Sequence, residues 1–491
     1  MRIIFSICIL IGFGAAAVSQ SINRKQLVER HTIFNTSVDS LSSLSVGNGS
    51  FAFTVDVTGL QSFPDAYAKG VPLGTQSEWG WHSFPNTQQY KFEDALKTYH
   101  LNGRDVKYAV QWNGSEQNKN ASNYFRQNLH RLQLANIGLE IIKKDGTLFS
   151  IDDVKNIHQS LNLWTGEIHS QFTVEDVPVE VTTYCHQTLD AIAVKVLSPL
   201  IKEKRLFVRL RFPYPTGDWA DFANNYKDEN KHQSSFLKRE EGISFIHQLD
   251  STKYFVSVNC RDAGIKQKEK HYFLIAPPSS NSFEFTFQFS QKTKAPHSLV
   301  TYSSTRSNNE IQWRGFWRSG GAIDFSGSTN KQAPELERRI VLSQYLTKIQ
   351  CAGNNPPQET GLTYNSWYGK PHMEMHWWHG VHFALWGRPA LLEKSLAWYK
   401  RVAGTARQIA KRQGYQGVRW QKMTDNDGRE SPSSIGAFLI WQQPHFIYFT
   451  ELIYRQNPGR QTLNKYKALV FATADFMASY AFYDSTLKRY I

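Results

Sequence analysis

GEIHSQFTVEDVPVEVTTYCHQ, Gly166–Gln187, alternates apolar and polar residues at a period of two and is rich in Val, Thr and aromatic side chains. Ile168, Phe172 and Val174, then Val177, Val179 and Val181, stand at every second or fourth position, the spacing that puts side chains on one face of a strand. The same texture recurs in GSFAFTVDVTGL, AIAVKVL, RLFVRLRFPY, YFVSVNC and SFEFTFQFS, with turn residues between the runs. Asn48-Gly49 and Asn113-Gly114 are turn signals of the expected kind. So many short strands with few helical windows predict a large antiparallel β-sandwich over residues 21–296.

Further along the chain the texture changes. NEIQWRGFWR (309–318) is aromatic and helix-compatible, and a Gly/Ser-rich break, SGGAIDFSGS, follows it. Residues 297–332 therefore read as a linker helix and connection. From Pro334, a residue suited to a helix start, PELERRIVLSQYLTKIQCA spaces its apolar positions by threes and fours. Further helices are predicted at 372–386, 389–412, 434–456 and 461–482. No internal repeat or low-complexity segment interrupts this order.

The chain has 491 residues, too many for one ordinary core. Its 41% hydrophobic and 20% charged content is that of a soluble globular protein. The net charge of +14 raises the question of nucleic acid, but the Lys and Arg residues are scattered and no basic stripe lies on a recognisable binding motif. Nucleic acid is therefore not an expected partner. MRIIFSICILIGFGAAAVSQ, residues 1–20, has one early Arg, an apolar run and a cluster of small residues. That is the pattern of a secretory signal peptide, and the run is shorter than the ~20 residues a spanning helix needs. The reading is an exported protein, secreted or periplasmic, with no stable membrane insertion. Cys8 lies in the leader, leaving Cys185, Cys260 and Cys351, which allow at most one internal bridge. N-x-S sequons stand at Asn35, Asn48, Asn113 and Asn120.

Two stretches carry the unusual chemistry. SWYGKPHMEMHWWHGVHF (366–383) places His372, His376, His379 and His382 near one helical face. A metal is one reading, yet H-M-E-M-H is not H-E-x-x-H, because its glutamate falls two residues after the first His and points elsewhere. Imidazoles beside Trp377 and Trp378 equally suit hydrogen bonding to hydroxyl groups next to stacking rings, so no metal site is assigned. TDNDGRES (424–431) clusters Asp425, Asp427 and Glu430 but is too short for a calcium loop. No G-x-S-x-G elbow, P-loop or G-x-G-x-x-G sequence is present, and carboxylate chemistry remains by elimination. No cofactor is expected.

Four stretches together resemble glycoside hydrolase family 65, whose members cleave or phosphorolyse α-glucosides with inversion. SLSVGNGSFAFTVDVTGLQSF is similar to the family's first-strand segment, and WRGFWRSGGAIDF to its linker helix and exit. TGLTYNSWYGKPHMEMHWWH resembles the segment lining the sugar pocket, in the form seen in the hydrolase branch that includes kojibiose hydrolases. GYQGVRWQKMTDNDGRESP resembles the stretch that carries the catalytic acid. The phosphorylases show W-D-T-E where this chain has M-H-W-W at 375–378, a departure that favours hydrolysis.

The resemblance implies a β-sandwich, a linker helix and an (α/α)6-barrel catalytic domain over 333–491, acting on an α-glucoside carbohydrate. It places Glu430 as general acid. Trp367, Glu374, His376, Trp377, Trp378 and His379 would hold the glucosyl unit, with Gln442, Gln443 and His445 on the following helix. The loop is expected to pack Glu430 against Trp420, a water-excluding surface of the kind a proton donor needs. Roughly 160 residues follow residue 333, whereas twelve barrel helices with connections need about 200. The expectation is thus a C-terminally truncated chain holding about half the barrel, with the catalytic base beyond Ile491 and some apolar helix faces uncovered. Phosphorolysis and non-catalytic carbohydrate binding are the alternatives.

Overall fold

A computed structural model describes residues 21–291 and 299–491. The signal peptide expected at 1–20 lies outside them, as does the expected domain boundary at 296. The hairpin Glu167–Val174/Val177–Cys185 shows the alternation in its burial, with Ile168, Phe172, Val174, Val179 and Val181 inside and Gln171 and Pro178 outside. Its two-residue turn, Glu175-Asp176, has φ of 50° and 62°, the double left-handed geometry that matches strand twist in tight hairpins.

This hairpin sits in a nine-stranded antiparallel sheet running from Ile33–Asn35 at one edge to His232–Arg239 at the other. A four-stranded sheet, with Leu206–Arg211 paired between Asn136–Ile141 and Tyr272–Ala276, shares its core. Val181, Val194, Val256 and Phe287 from the large sheet join Ile137, Leu139, Val208 and Phe273 from the small one in a single buried cluster. Besides two single-turn segments, Pro64–Tyr67 and Pro199–Lys202, two longer helices interrupt the β region where the sequence pattern showed few. Arg24–Glu29 is one, and Glu116–Gln127 is the other. The second is almost wholly polar, so it carries no apolar period. Ser115 caps it, its hydroxyl accepting from the Asn118 N–H.

The expected linker helix extends over Tyr302–Arg318 and buries Trp313, Phe316 and Trp317 against the sandwich. Trp317 Nε1 donates to the Leu163 carbonyl at 2.7 Å. Trp313 stacks on Tyr345 of the next helix, Ala333–Cys351, with centroids 4.6 Å apart. The turn beneath this stack requires glycine: Gly166 has φ of +63°, and a Cβ there would fall 2.1 Å from Trp313 Nε1. Gly166→Ala is therefore expected to destabilise the protein by roughly 2–3 kcal/mol, read as a lower urea midpoint at unchanged slope.

Beyond Ala333–Cys351 come helices Met373–Leu385, Pro389–Arg412, His445–Gln456 and Arg460–Tyr480. Pro334 and Pro389 stand in the first turns of Ala333–Cys351 and Pro389–Arg412, where the missing N–H costs nothing. Their second core gathers Phe383, Leu392, Tyr399, Trp420, Phe446 and Phe449. The helix expected over 434–456 is a correction: only His445–Gln456 is helical, and 434–444 is a run of turns. Pro444 accounts for the late start, since the residue before a proline is disfavoured in the α region. Trp378, Leu385, Leu463 and Phe471 expose their side chains on these helices. No helix among the described residues is long and apolar enough to cross a membrane. Cys185, Cys260 and Cys351 are free and buried.

Candidate active site

After Cys351 the chain crosses back over the β-domain, held by a series of polar contacts. The Asn355 N–H donates to Glu78 at 2.9 Å, Gln358 Nε2 to Gln76 at 3.1 Å, and Asn365 Nδ2 to the Arg131 carbonyl at 3.2 Å. It then turns sharply: Trp367, Tyr368 and Gly369 have φ of 51°, 59° and 66°. Two successive left-handed non-glycine residues cost roughly 1–2 kcal/mol each and persist only where surroundings enforce them. The surroundings are visible. The Tyr368 N–H donates to the Trp219 carbonyl at 3.0 Å, Arg131 Nε donates to the Gly369 carbonyl at 3.2 Å, and the Arg126 guanidinium lies 4.9 Å over the Trp367 ring. Lys370, buried, donates to the carbonyls of Phe125 and Asn128, and its burial lowers the ammonium to about 7.

The acidic loop is laid against the end of this turn. The Met373 N–H donates to the Lys422 carbonyl at 2.7 Å, Thr424 N–H to Pro371 at 3.2 Å, and Ser431 N–H to Met423 at 3.2 Å. Within the loop Asp425 Oδ1 accepts the N–H groups of Asp427 and Arg429, both at 2.9 Å. Asp425 thus folds the loop, Asp427 points outward, and Glu430 is turned inward with its side chain 3% exposed. Glu430 Oε1 accepts from Gln421 Nε2 at 2.8 Å, and Oε2 pairs with Arg412 at the end of Pro389–Arg412. Trp420, expected against Glu430, instead lies in the helical core. Its Nε1 donates to Thr473 and its ring meets Tyr399 edge-on at 4.9 Å. The backbone alternates direction at 420–421, so the residue that reaches the carboxylate is Gln421.

Glu430, Trp367, His372, Gln421, Lys422 and Trp441 line one cavity of about 260 Å³ between the two domains, the kind of place where ligand sites gather. His372 is held at about 4 by burial, with Lys422 beside it, and is therefore neutral. Its Nδ1 accepts from the Met375 N–H, which caps the helix and leaves the proton on Nε2, 3.8 Å from Glu359. Lys422 pairs with Glu374 at 3.0 Å.

The other residues singled out in the sequence occupy different positions. His376 is in the helical core: its Nε2 donates to Ser395 Oγ at 2.8 Å, its Nδ1 accepts from Tyr399 at 3.0 Å, and burial holds it at about 3. His379 Nε2 donates to the Glu359 carbonyl at 3.0 Å. Trp377 packs near His445 and Tyr448, while Trp378 is 63% exposed. Gln442 and Gln443 are buried and brace backbone. Gln443 accepts the Trp420 N–H and donates to the Val418 carbonyl, and Gln442 donates to the carbonyls of Trp420 and Leu439. His445 Nδ1 donates to the Met373 carbonyl. Only Trp367 and Glu430 of the candidates line the cavity itself, with Glu374 at its edge through Lys422. Arg412, Gln421, Lys422 and Trp441 carry no local sequence signature. Among the described residues no group of His, Cys, Asp and Glu is arranged to hold a metal ion.

No protein-family model and no curated protein matches the chain. Among solved structures it is similar to one described as "Putative kojibiose phosphorylase from human microbiome", with a TM-score of 0.63 and 10% identity over 94% of this chain. The match spans 61% of that longer chain. A bacterial glucoamylase complexed with acarbose matches with a TM-score of 0.48 and 11% identity, over 91% of this chain and 62% of that one. The first likeness establishes a shared fold, a mixed β and α architecture with a large antiparallel sheet.

Proposed function

We propose that the protein is an exported glycoside hydrolase that cleaves an α-glucosidic bond of a disaccharide or short oligosaccharide with inversion. The observation that carries this reading is Glu430: an inward-facing carboxyl group at the wall of an interdomain cavity whose lining includes two indole rings and several hydrogen-bonding side chains among aliphatic ones. Stacking rings beside polar groups suit a sugar, which presents an apolar face and a rim of hydroxyls. The five helices from Ala333 onward are read as part of an (α/α)6 barrel.

In the reaction, Glu430 leaves its pairing with Arg412, takes up a proton from solvent, and gives that proton to the glycosidic oxygen as the bond from that oxygen to the anomeric carbon breaks. Water supplies the new oxygen on the opposite face, and its proton passes to a second carboxylate, which lies ~6.5–9.5 Å from the acid in inverting enzymes. No described residue is assigned to that second role. Trp367 and Trp441 would flank the sugar ring, and Glu374 would act through Lys422. Phosphorolysis is the second reading, favoured by Lys422, which lines this cavity and could turn from Glu374 to a phosphate in place of activated water.

Incubation with a panel of α-linked diglucosides, with and without inorganic phosphate, tests the reading. Glucose released at equal rates under both conditions is expected. Cleavage that requires phosphate and yields glucose 1-phosphate would establish phosphorolysis, and saccharide binding without turnover would leave a carbohydrate-binding protein.

A further inference from the structure

Glu430 is common to the linings of two cavities. The second, about 500 Å³, lies between the C-terminal turns of Pro389–Arg412 and the β-domain segment around Glu116–Gln127. Its walls gather three six-membered aromatic rings, with polar groups such as Ser83, Asn128 and Thr405 between them. Phe92 and Phe125 meet edge-on at 5.3 Å, Tyr124 and Phe125 do the same at 5.3 Å, and Ile409 closes the helix side. The Tyr124 hydroxyl is already committed to the Phe84 carbonyl. Arg429 of this lining is paired with Asp425, and Arg412 is engaged by Glu430. An aromatic box with internally paired charges favours an uncharged ligand with a flat apolar body, and its volume is that of an ordinary small-molecule site.

The orientation of the carboxyl group links the two spaces. Oε1 is held by Gln421, which lines the smaller cavity, and Oε2 by Arg412, which lines the larger. A bond protonated by Glu430 would have one partner on each side of it. We propose that the larger cavity is an aglycone site for uncharged aromatic or otherwise apolar alcohols, so that aryl α-glucosides are substrates alongside saccharides. This rests on Glu430 marking the sugar site and narrows what can lie on its far side.

The test is a comparison of methyl α-D-glucopyranoside and phenyl α-D-glucopyranoside by titration calorimetry on the intact chain. Burial of the ring should make the phenyl glucoside bind about tenfold or more tightly than the methyl. Phe92→Ala removes one wall, and Gln408→Trp fills the cavity from an exposed position. Each should abolish the phenyl advantage and leave methyl glucoside affinity within about twofold, a difference under ~0.5 kcal/mol. Equal affinities in the unmodified protein, or a phenyl advantage that survives both substitutions, would overturn the aglycone site and leave the sugar site intact. Binding of neither glucoside would overturn both.

Discussion

In a full-length protein that carries the second carboxylate, Glu430→Gln should lower the rate of hydrolysis of an α-linked diglucoside by roughly 10²–10⁴-fold, the usual contribution of a positioned general acid. The amide keeps the shape of the side chain and can still accept from Arg412, so the melting temperature should move little. What it loses is the proton that the departing sugar oxygen requires. The loss should therefore depend on the leaving group. α-Glucosyl fluoride departs as fluoride with much less need of an acid, and its cleavage should fall far less than that of the diglucoside. Comparing kcat/KM for the two substrates in the unmodified and substituted proteins separates a lost proton donor from a damaged pocket. Equal losses on both substrates would assign Glu430 to binding, and unchanged rates would remove it from the site altogether.

The second large effect is on stability. Burial holds His232, His372 and His382 at about 4 and His376 at about 3, so all four fold in the neutral form. Between about pH 6.5 and 4 the unfolded chain binds more protons at these sites than the folded one, so stability falls as pH is lowered through that window. Each such histidine removes about 3 kcal/mol by pH 4. Asp56 and Asp190 act in the opposite sense. Burial raises both to about 6, so the folded chain takes up protons there first and gains about 2 kcal/mol from each as pH falls from 6 to 4. Four histidines outweigh two carboxyls, and a net loss of several kcal/mol is expected. Urea midpoints followed from pH 7 to pH 4 should decline steeply below 6.5. A flat or rising profile would contradict the buried neutral histidines.

These same histidines show what can and cannot be read from sequence. The spacing of His372, His376, His379 and His382 places them near one another on a helix, but spacing does not say which way that face turns. His376 faces the core and is satisfied by Ser395 and Tyr399, residues about twenty positions away with no local mark. His372, one turn earlier, caps the helix and lines the cavity. The strands were far more legible, because a half-buried strand writes its exposure directly into alternate residues, as Glu167–Val174 does. The polar helix Glu116–Gln127 left only its Ser115 cap as a signal. At the site, Trp367 and Glu430 come from separate motifs and line one cavity. Arg412 and Gln421, which hold Glu430, were not legible, since only the tertiary fold brings a helix end and the preceding loop to that carboxyl group. Gln442 and Gln443, read as sugar contacts, spend their amides on backbone that a chain of turns leaves without partners.

The most direct test of an inverting α-glucoside hydrolase is the anomer first released, followed by proton NMR during the opening minutes of diglucoside cleavage. The β-anomer of glucose should appear first and mutarotate later. Initial release of the α-anomer, or no glucose from any α-linked diglucoside, would contradict it.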